Sequence, residues 1–395
     1  MESDRTLYVL LMGWPGNHRG YSLAVRSSLA AYATIYARVE ALVLAYQERT
    51  PPPLPENVSL TWHRIERHSA WRRALRSAVG SYPPFTRQFL SRDTQERVAA
   101  FLARDDNADV VIEGLPLMVW HFTMPAVFAS RRVAFRSHDV TAKAFAPMAA
   151  GGGLMTLYWK REVPRIRAFE RTAAERAGVL WSISSSDDEA WRSIHGLAPD
   201  GVLGVGLELA RYHGVSAGPA RSVLHIGYLD ARKGDAMRRF ARNVWPAVRR
   251  RVGDAELVLA GRGSDALDDP ALGIRGLGFV ESDADFLGEG QIFINPQVAG
   301  SGIKLKSIIA MAAGKALVGT PNAVEGIDGE EGRDFVVAAD DTDYADKLAA
   351  LLEAPDRAAA LGDAGRQRVD ALFSQERAEA QARDVIARWH QGGSA

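Results

Sequence analysis

Short apolar runs that end near a glycine and lead into helical stretches recur along the whole chain, and this alternation most narrows what it can fold into. "LYVLLMG" ends in a glycine-rich turn, and a helix is expected over about 22–38. "VEALVLAY", "ADVVIEG", "RRVAFRSHD" and "GVLWSISS" follow as strands with helical segments between them. A second series opens at "RSVLHIGYLDARKG", where a strand over 223–226 and a loop precede a helix through "AMRRFARNVWPAVRRRVG". "AELVLAGRG", "GIRGLGFV" and "GQIFINP" continue it, then "KALVGT" and "GRDFVVAADD". Runs of this length alternating with helical periods predict parallel strands covered by helices on both faces. The expected fold class is therefore α/β, with two successive Rossmann-like, doubly wound parallel-sheet domains.

Length agrees, because 395 residues exceed what one ordinary core organises. A composition of 47% hydrophobic and 24% charged residues can bury two cores. The expected division is 1–205, 206–375, and a last helix over 376–395 packing back on the first domain. A long basic helix over 157–176 is expected to break at Pro164, and Asp187 and Asp188 to cap the helix after "GVLWSISS". The terminal helices are expected over 342–352 and 359–389. "APMAAGGGLM" reads as a glycine-rich loop.

With no cysteine, disulfides, thiolate metal sites and cysteine nucleophiles are excluded. The start is not a signal peptide, since acids precede an apolar run of six residues, 7–12. The longest apolar stretch, 115–129, contains His121 and Pro125 and is too short to span a bilayer. A cytoplasmic protein is expected. Net charge is zero but uneven: residues 1–200 hold 25 of the 48 basic residues and 20 of the 48 acids, about +5, which leaves about −5 for the rest. Between Arg64 and Arg92 seven arginines face one acid, Glu66, interleaved with Trp71, Tyr82, Phe85 and Phe89. That region reads either as a solvated face or as a surface for an anionic membrane. Nucleic acid is not an expected partner, given the balanced charge.

The stretch "GSGIKLKSIIAMAAG" follows the strand "FINP" and enters a small-residue helix. Gly300 and Gly302 let backbone approach a ligand, helix-start amides favour an anion, and Lys304 and Lys306 add charge. The spacing is not that of a P-loop. "GYLDARKG" places Lys233, "AGRG" places Gly261 and Arg262, and "GLGFV" places Phe279 and Val280 at neighbouring strand ends, which suggests a nucleotide site. His138 beside Asp139 reads as either a general-base pair or a structural histidine. "DDNAD" and "DDTD" read as solvated caps, and no metal site is expected. No GxSxG, HExxH or GxGxxG motif occurs in a fitting context.

Together, "LHIGYLDARKG", "LVLAGRG", "GLGFV", "FINPQVAGSGIKLKSIIAMAAGKALVGTPNAVEGI" and "LGDAGRQRV" resemble the donor domain of family-4-type retaining glycosyltransferases of the GT-B fold, a subgroup carrying a "GSGIKLK" loop. "LYVLLMGWPGNHRGYSLAVRSSLA", "FRSHDV" and "AFERTAAERAGVLWSISSSDDEAW" resemble that family's first half. The resemblance implies two domains facing across a cleft, a nucleotide-diphosphate sugar as donor, no metal or other cofactor, and a glycan, lipid-linked or small-molecule acceptor. It implies that Lys233, Gly300, Ser301, Gly302, Ile303, Lys304 and Gly20 meet the donor's phosphates and sugar. Gly261, Arg262, Phe279, Val280 and Glu325 would meet its nucleoside, and His138 would assist at the sugar. The family commonly has glutamates where Ser301 and Ile309 stand, and an arginine where Tyr228 stands. A carboxylate on a ribose diol is worth roughly 1.5–3 kcal/mol, so Ile309 removes a substantial contact. Two other functions fit the same pattern, a nucleotide-sugar epimerase and a non-catalytic partner subunit of the same fold.

Overall fold

A computed structural model describes residues 3–16, 20–66, 80–150, 152–229, 234–300 and 302–392. Its contacts divide the chain into two units, 1–207 with 375–395, and 208–374. Each unit is built on one all-parallel sheet.

In the first unit seven strands run in the order β3-β2-β1-β4-β5-β6-β7. They are β1 (Ser3–Leu11), β2 (Tyr36–Ala45), β3 (Val58–Arg64), β4 (Asp109–Glu113), β5 (Val133–Arg136), β6 (Val179–Ser182) and β7 (Gly201–Val202). All five residues of β4 and all four of β5 are buried, as expected of strands covered on both faces. Helix α1 (Gly20–Ala33) ends earlier than the sequence suggests. The chain turns at Thr34 and Ile35, so that Tyr36 and Val39, both buried, already belong to β2. Strand β3 was not expected. It is a half-buried edge strand of mixed polarity, "VSLTWHR", with no continuous apolar run to announce it.

Two expectations about helices need correction. Helix α2 (Leu154–Ala177) runs unbroken through Pro164. Pro164 is exposed, while Ile166, Phe169 and Ala173 on the opposite face are buried in the core; that packing offsets the roughly 3 kcal/mol that an internal proline costs. The short helix Ser185–Ala190 is capped by Ser184, not by Asp187 or Asp188. The Ser184 hydroxyl accepts from the Asp187 amide at 3.1 Å and donates to the Asp187 carboxylate at 2.6 Å.

The second unit has six parallel strands ordered β10-β9-β8-β11-β12-β13. They are β8 (Ser222–Ile226), β9 (Glu256–Ala260), β10 (Ile274–Gly276), β11 (Ile292–Asn295), β12 (Ala316–Gly319) and β13 (Val336–Val337). Both sheets thus have the doubly wound order 3-2-1-4-5-6, the first extended by one strand. In such a sheet the strand order reverses between the first and fourth strands, and a crevice opens at their carboxyl ends. Helix α3 (Leu305–Ala312) leaves β11 at that point.

The chain's end is three helices, not two: α4 (Asp341–Leu352), α5 (Pro355–Phe373) and α6 (Gln375–Gly392). Ser374 takes an extended conformation between the last two, at the boundary where the chain passes from the second unit back into the first. Asp340, of the "DDTD" run, caps α4 through the amides of Thr342 and Asp343, both at 2.9 Å. No described helix is long and apolar enough to cross a membrane, and no group of acids or histidines among the described residues is placed to hold a metal.

Candidate functional site

At the switch point of the second sheet, three strand ends are drawn together by glycines. A Cβ on Gly261, whose φ is +105°, would lie 1.9 Å from the Gly227 carbonyl oxygen, so only glycine fits there. The Gly227 amide donates to Ala260, and the Gly261 amide to Gly278. Arg262 then lies over the ring of half-exposed Tyr228, 5.5 Å from its centroid. Phe279 is 78% exposed, and Val280 is half-buried. Lys233 and Ser301 lie outside the described residues.

The loop between β11 and α3 is the most heavily braced part of this rim. Buried Asn295 donates to the Ser307 hydroxyl at 2.9 Å, and Ser307 donates to the Ala323 carbonyl at 2.8 Å. These bonds fix the start of α3 against the strand end. Gly300 and Gly302 adopt φ of +127° and +70°. Helix α3 begins at Leu305 with Lys304 as its N-cap residue, so both glycines and Ile303 precede the helix and do not form its first turn. Glu325 sits beside this loop: it receives Asn322 Nδ2 at 3.1 Å and faces the Lys304 ammonium at 3.5 Å. Lys304 also donates to the Gly302 carbonyl at 2.6 Å. Lys304 is therefore neutralised by Glu325.

Lys306 is different. Among the described residues it has no hydrogen bond or ion pair. Burial, and then the charge of Lys304, push its ammonium down from the usual lysine range to about 8. Beside it, buried His225 donates from Nδ1 to the Ile294 carbonyl at 2.8 Å. Burial and the Lys306 charge lower that imidazole to about 3, so it is neutral at ordinary pH with Nε2 as an acceptor. A Cβ on Gly227 would meet His225 Nε2 at 3.2 Å and Lys306 Nζ at 3.6 Å, which places both groups around the bare backbone of Gly227. The arrangement is an unpaired, largely enclosed cation at a helix start, and it suits an anion. Ile309, half-buried on the same helix, contributes no polar atom.

The switch point of the first sheet carries His138 and Gly20. Gly20 is the exposed first residue of α1. His138 follows β5, and its Nε2 lies 2.6 Å from Glu113 Oε2. Glu113 ends β4 and is fully buried. Arg136, equally buried, donates to the same oxygen at 3.0 Å and to the carbonyls of Leu203 and Gly204, both at 2.9 Å. Ser28 and Tyr32 donate to Glu113 Oε1 at 2.9 and 3.0 Å. Tyr21 donates to the Glu113 carbonyl at 3.1 Å and tilts its ring against His138, centroid to centroid 4.7 Å. Burial alone would raise the Glu113 carboxyl, but Arg136 and the hydrogen bonds from His138 and Ser28 hold it near 2. Desolvation lowers the His138 imidazole more than Glu113 raises it. Asp139 is not the partner of His138; its carboxylate accepts from Thr141 at 2.9 Å. Sequence reasoning missed Glu113, Arg136, Ser28 and Tyr32. The available signal was one acid closing the apolar strand "ADVVIEG" directly before a glycine.

Four of the seven arginines between Arg64 and Arg92 fall in 67–79, outside the described residues. Asn57, in a sequon-like triplet, donates to the carbonyls of Ala33 and Tyr36 and is part of the fold.

Residues 220–354 match the family model described as Glycosyl transferases group 1. No curated protein matches the chain. Among solved structures, sucrose-phosphate synthase from Thermosynechococcus elongatus is similar at 16% identity and a TM-score of 0.73, covering 98% of this chain and 100% of that one. HepE of Anabaena, in complex with UDP and glucose, is similar at 12% identity and a TM-score of 0.63, covering 96% and 99%. A glycosyltransferase from Rickettsia africae is similar at 11% identity and a TM-score of 0.63, covering 97% and 99%. The chain therefore has the GT-B fold of glycosyltransferases, and its second unit carries the match to the group 1 family.

Proposed function

We propose that the protein is a metal-independent, retaining glycosyltransferase that moves a sugar from a nucleotide-diphosphate sugar to a glycan, lipid-linked or small-molecule acceptor. The observation that carries this reading is Lys306, an unpaired and largely enclosed ammonium at the start of α3, at the switch point of the second sheet. A departing diphosphate needs a fixed positive charge in a poorly hydrated place, and such a charge acts more strongly there than in water. Lys306 supplies it, with the helix-start amides and the Gly300 and Gly302 backbone beside it. Lys233, Ser301 and Ile303 complete the phosphate side of this proposal. Gly261, Arg262, Phe279, Val280 and Glu325 are its nucleoside side. In the first unit, Gly20 and His138 are assigned to the phosphates and the sugar.

The first test is calorimetric titration of UDP, GDP, ADP and TDP; UDP comes first because a solved structure of similar fold holds it. One of them is expected to bind at micromolar concentration. Lys306→Ala is expected to weaken it at least about tenfold, the order of one hydrogen bond to a charged group. Lys304→Ala should have the smaller effect, because Lys304 is already neutralised by Glu325.

Ile309, an apolar residue on the face of the site, favours a second reading, a non-catalytic partner subunit that keeps the fold. Slow hydrolysis of the donor sugar nucleotide by the purified chain, abolished in Lys306→Ala, would exclude that reading. No binding of any of the four nucleotides at millimolar concentration would establish it over the enzyme.

A further inference from the structure

Helix α2 sorts its charges by face. Two of its acids, Glu162 and Glu170, are fully buried. Glu170 accepts from the amides of Thr141 and Ala142 at 2.7 and 3.0 Å and meets His195 at 2.9 Å. Glu162 is engaged by Arg165 at 2.7 Å. Leu157, Lys160, Arg161, Pro164, Arg167 and Arg171 are exposed, and steps of three and four place them on one outer face. The first exposed acid on the helix is Glu175, which pairs with Arg171 at 2.8 Å. Arg161 lies 4.0 Å from the inward-facing Glu162, and Arg167 donates to the Ile194 carbonyl and keeps its charge. Lys160 has no hydrogen bond or ion pair among the described residues.

This face begins in an apolar patch. Met155 and Leu157, at the start of α2, are 65% and 63% exposed, and Met148, in the turn Ala146–Ala149, is 49% exposed. Phe145 stacks on Trp159 at 4.8 Å and holds that turn against α2. Helix α2 crosses from β5 back to β6, and the two strands are parallel. Its first turns therefore lie at the carboxyl edge of the sheet, the edge that carries His138. An exposed apolar patch beside cations, with no acid among them, complements a surface that is apolar within and anionic outside. The exposed side chains of the patch are methionine and leucine, which offer no ring for a nucleic-acid base to stack on.

We propose that the outer face of α2 docks on an anionic lipid membrane: Met148, Met155 and Leu157 enter the acyl boundary, and Lys160, Arg161 and Arg167 meet headgroup phosphates. Docking by this face brings the carboxyl edge of the first sheet to the bilayer, where a lipid-linked acceptor presents its reacting end. That last step rests on the glycosyltransferase reading; the docking does not.

The experiment is co-flotation of the full chain with vesicles of phosphatidylcholine alone and of phosphatidylcholine with an equal part of phosphatidylglycerol. Binding to the mixed vesicles at low salt is expected, at least about tenfold weaker at high salt. A basic residue near an anionic surface is worth about fivefold, so Lys160→Glu with Arg161→Glu should weaken binding at least about twentyfold. Because the chain has no cysteine, Met155→Cys can carry a single environment-sensitive fluorophore, with exposed Arg250→Cys in the second unit as its control. On mixed vesicles the first label is expected to shift to the blue and the second to stay. Absence of flotation at low salt would assign the face to a soluble partner and overturn the proposal. So would equal flotation with neutral vesicles, undiminished binding in the Lys160→Glu, Arg161→Glu chain, or an unshifted label at 155 on a chain that floats. Nucleotide titration of the same proteins separates the two readings: a chain that floats as expected but binds no nucleotide would reject the glycosyltransferase reading alone.

Discussion

At the scale of single residues, the two switch points differ in how their charge is held. Glu113 is compensated within the fold, and its removal or exposure is a matter of stability. Its folded carboxyl lies near 2, below the ordinary range, so its contribution is present above pH 4.5 and lost as pH falls towards 2. Arg136→Met leaves that carboxylate buried beside one histidine and two hydroxyls. A broken buried pair costs about 3–5 kcal/mol, and a loss of this size is expected in urea unfolding. A loss below about 1 kcal/mol would mean that Arg136 holds nothing. Lys306 is uncompensated, and its sign is opposite. Its folded ammonium lies at about 8, below the ordinary lysine, so between pH 8 and the unfolded value the folded chain holds fewer protons and this group's contribution to stability rises with pH. A bound diphosphate favours the charged form and draws a proton in. Nucleotide affinity is therefore expected to be level below pH 8 and to fall by up to about tenfold per unit above it. Titrations at several pH values check this, and an affinity flat to pH 10 would place the anion elsewhere.

At the scale of elements, the last helix depends on three glycines. Gly201, Gly204 and Gly206 let β7 and the strand-like segment after it approach α6 closely. A Cβ on Gly206 would lie 2.4 Å from Gln375 Oε1 and 2.7 Å from Gln375 Cα, so backbone must move to admit it. Farther along, His390 meets Asp109 at 2.8 Å, Tyr36 donates to the same carboxylate oxygen at 3.0 Å, and Trp389 packs edge-on against Trp181. Gly206→Ala is expected to cost about 1–3 kcal/mol, the usual penalty of overpacking, and to increase amide exchange in α6 first. Exchange unchanged in α6 would show that its start is free to shift. The expectation of one helix over 359–389 failed at Ser374 for a related reason. Local pattern favours continuation, but Ser374 is extended, and the helix after it packs within the first unit.

At the scale of the whole molecule, each unit has its own core. Among the described residues four tryptophans are fully buried, Trp120, Trp181 and Trp191 in the first unit and Trp245 in the second. Scanning calorimetry is expected to resolve two transitions, as multidomain chains commonly do. The nucleotide chosen by titration should raise the second unit's transition the more. At a hundred times Kd the added stability is about 2.7 kcal/mol. A shift confined to the first unit's transition would contradict the assignment of the donor to α3 and its neighbours.

The amino-acid sequence by itself determined the fold class, because alternating buried strands and amphipathic helices are a local periodicity that each segment carries. It also determined the glycine and lysine loop at β11, whose residues are contiguous. Strand β3 was not legible, since a half-buried edge strand lacks that periodicity. The tertiary structure alone decided which charges pair. Lys304 and Lys306 are two residues apart and look alike in the sequence, yet Glu325, 21 positions on, neutralises only the first. Glu113 ends β4, parallel register sets Arg136 of β5 beside it, and the packing of α1 on the sheet adds Ser28 and Tyr32. Pairing between distant residues is set by packing, and a pattern read along one chain does not contain it.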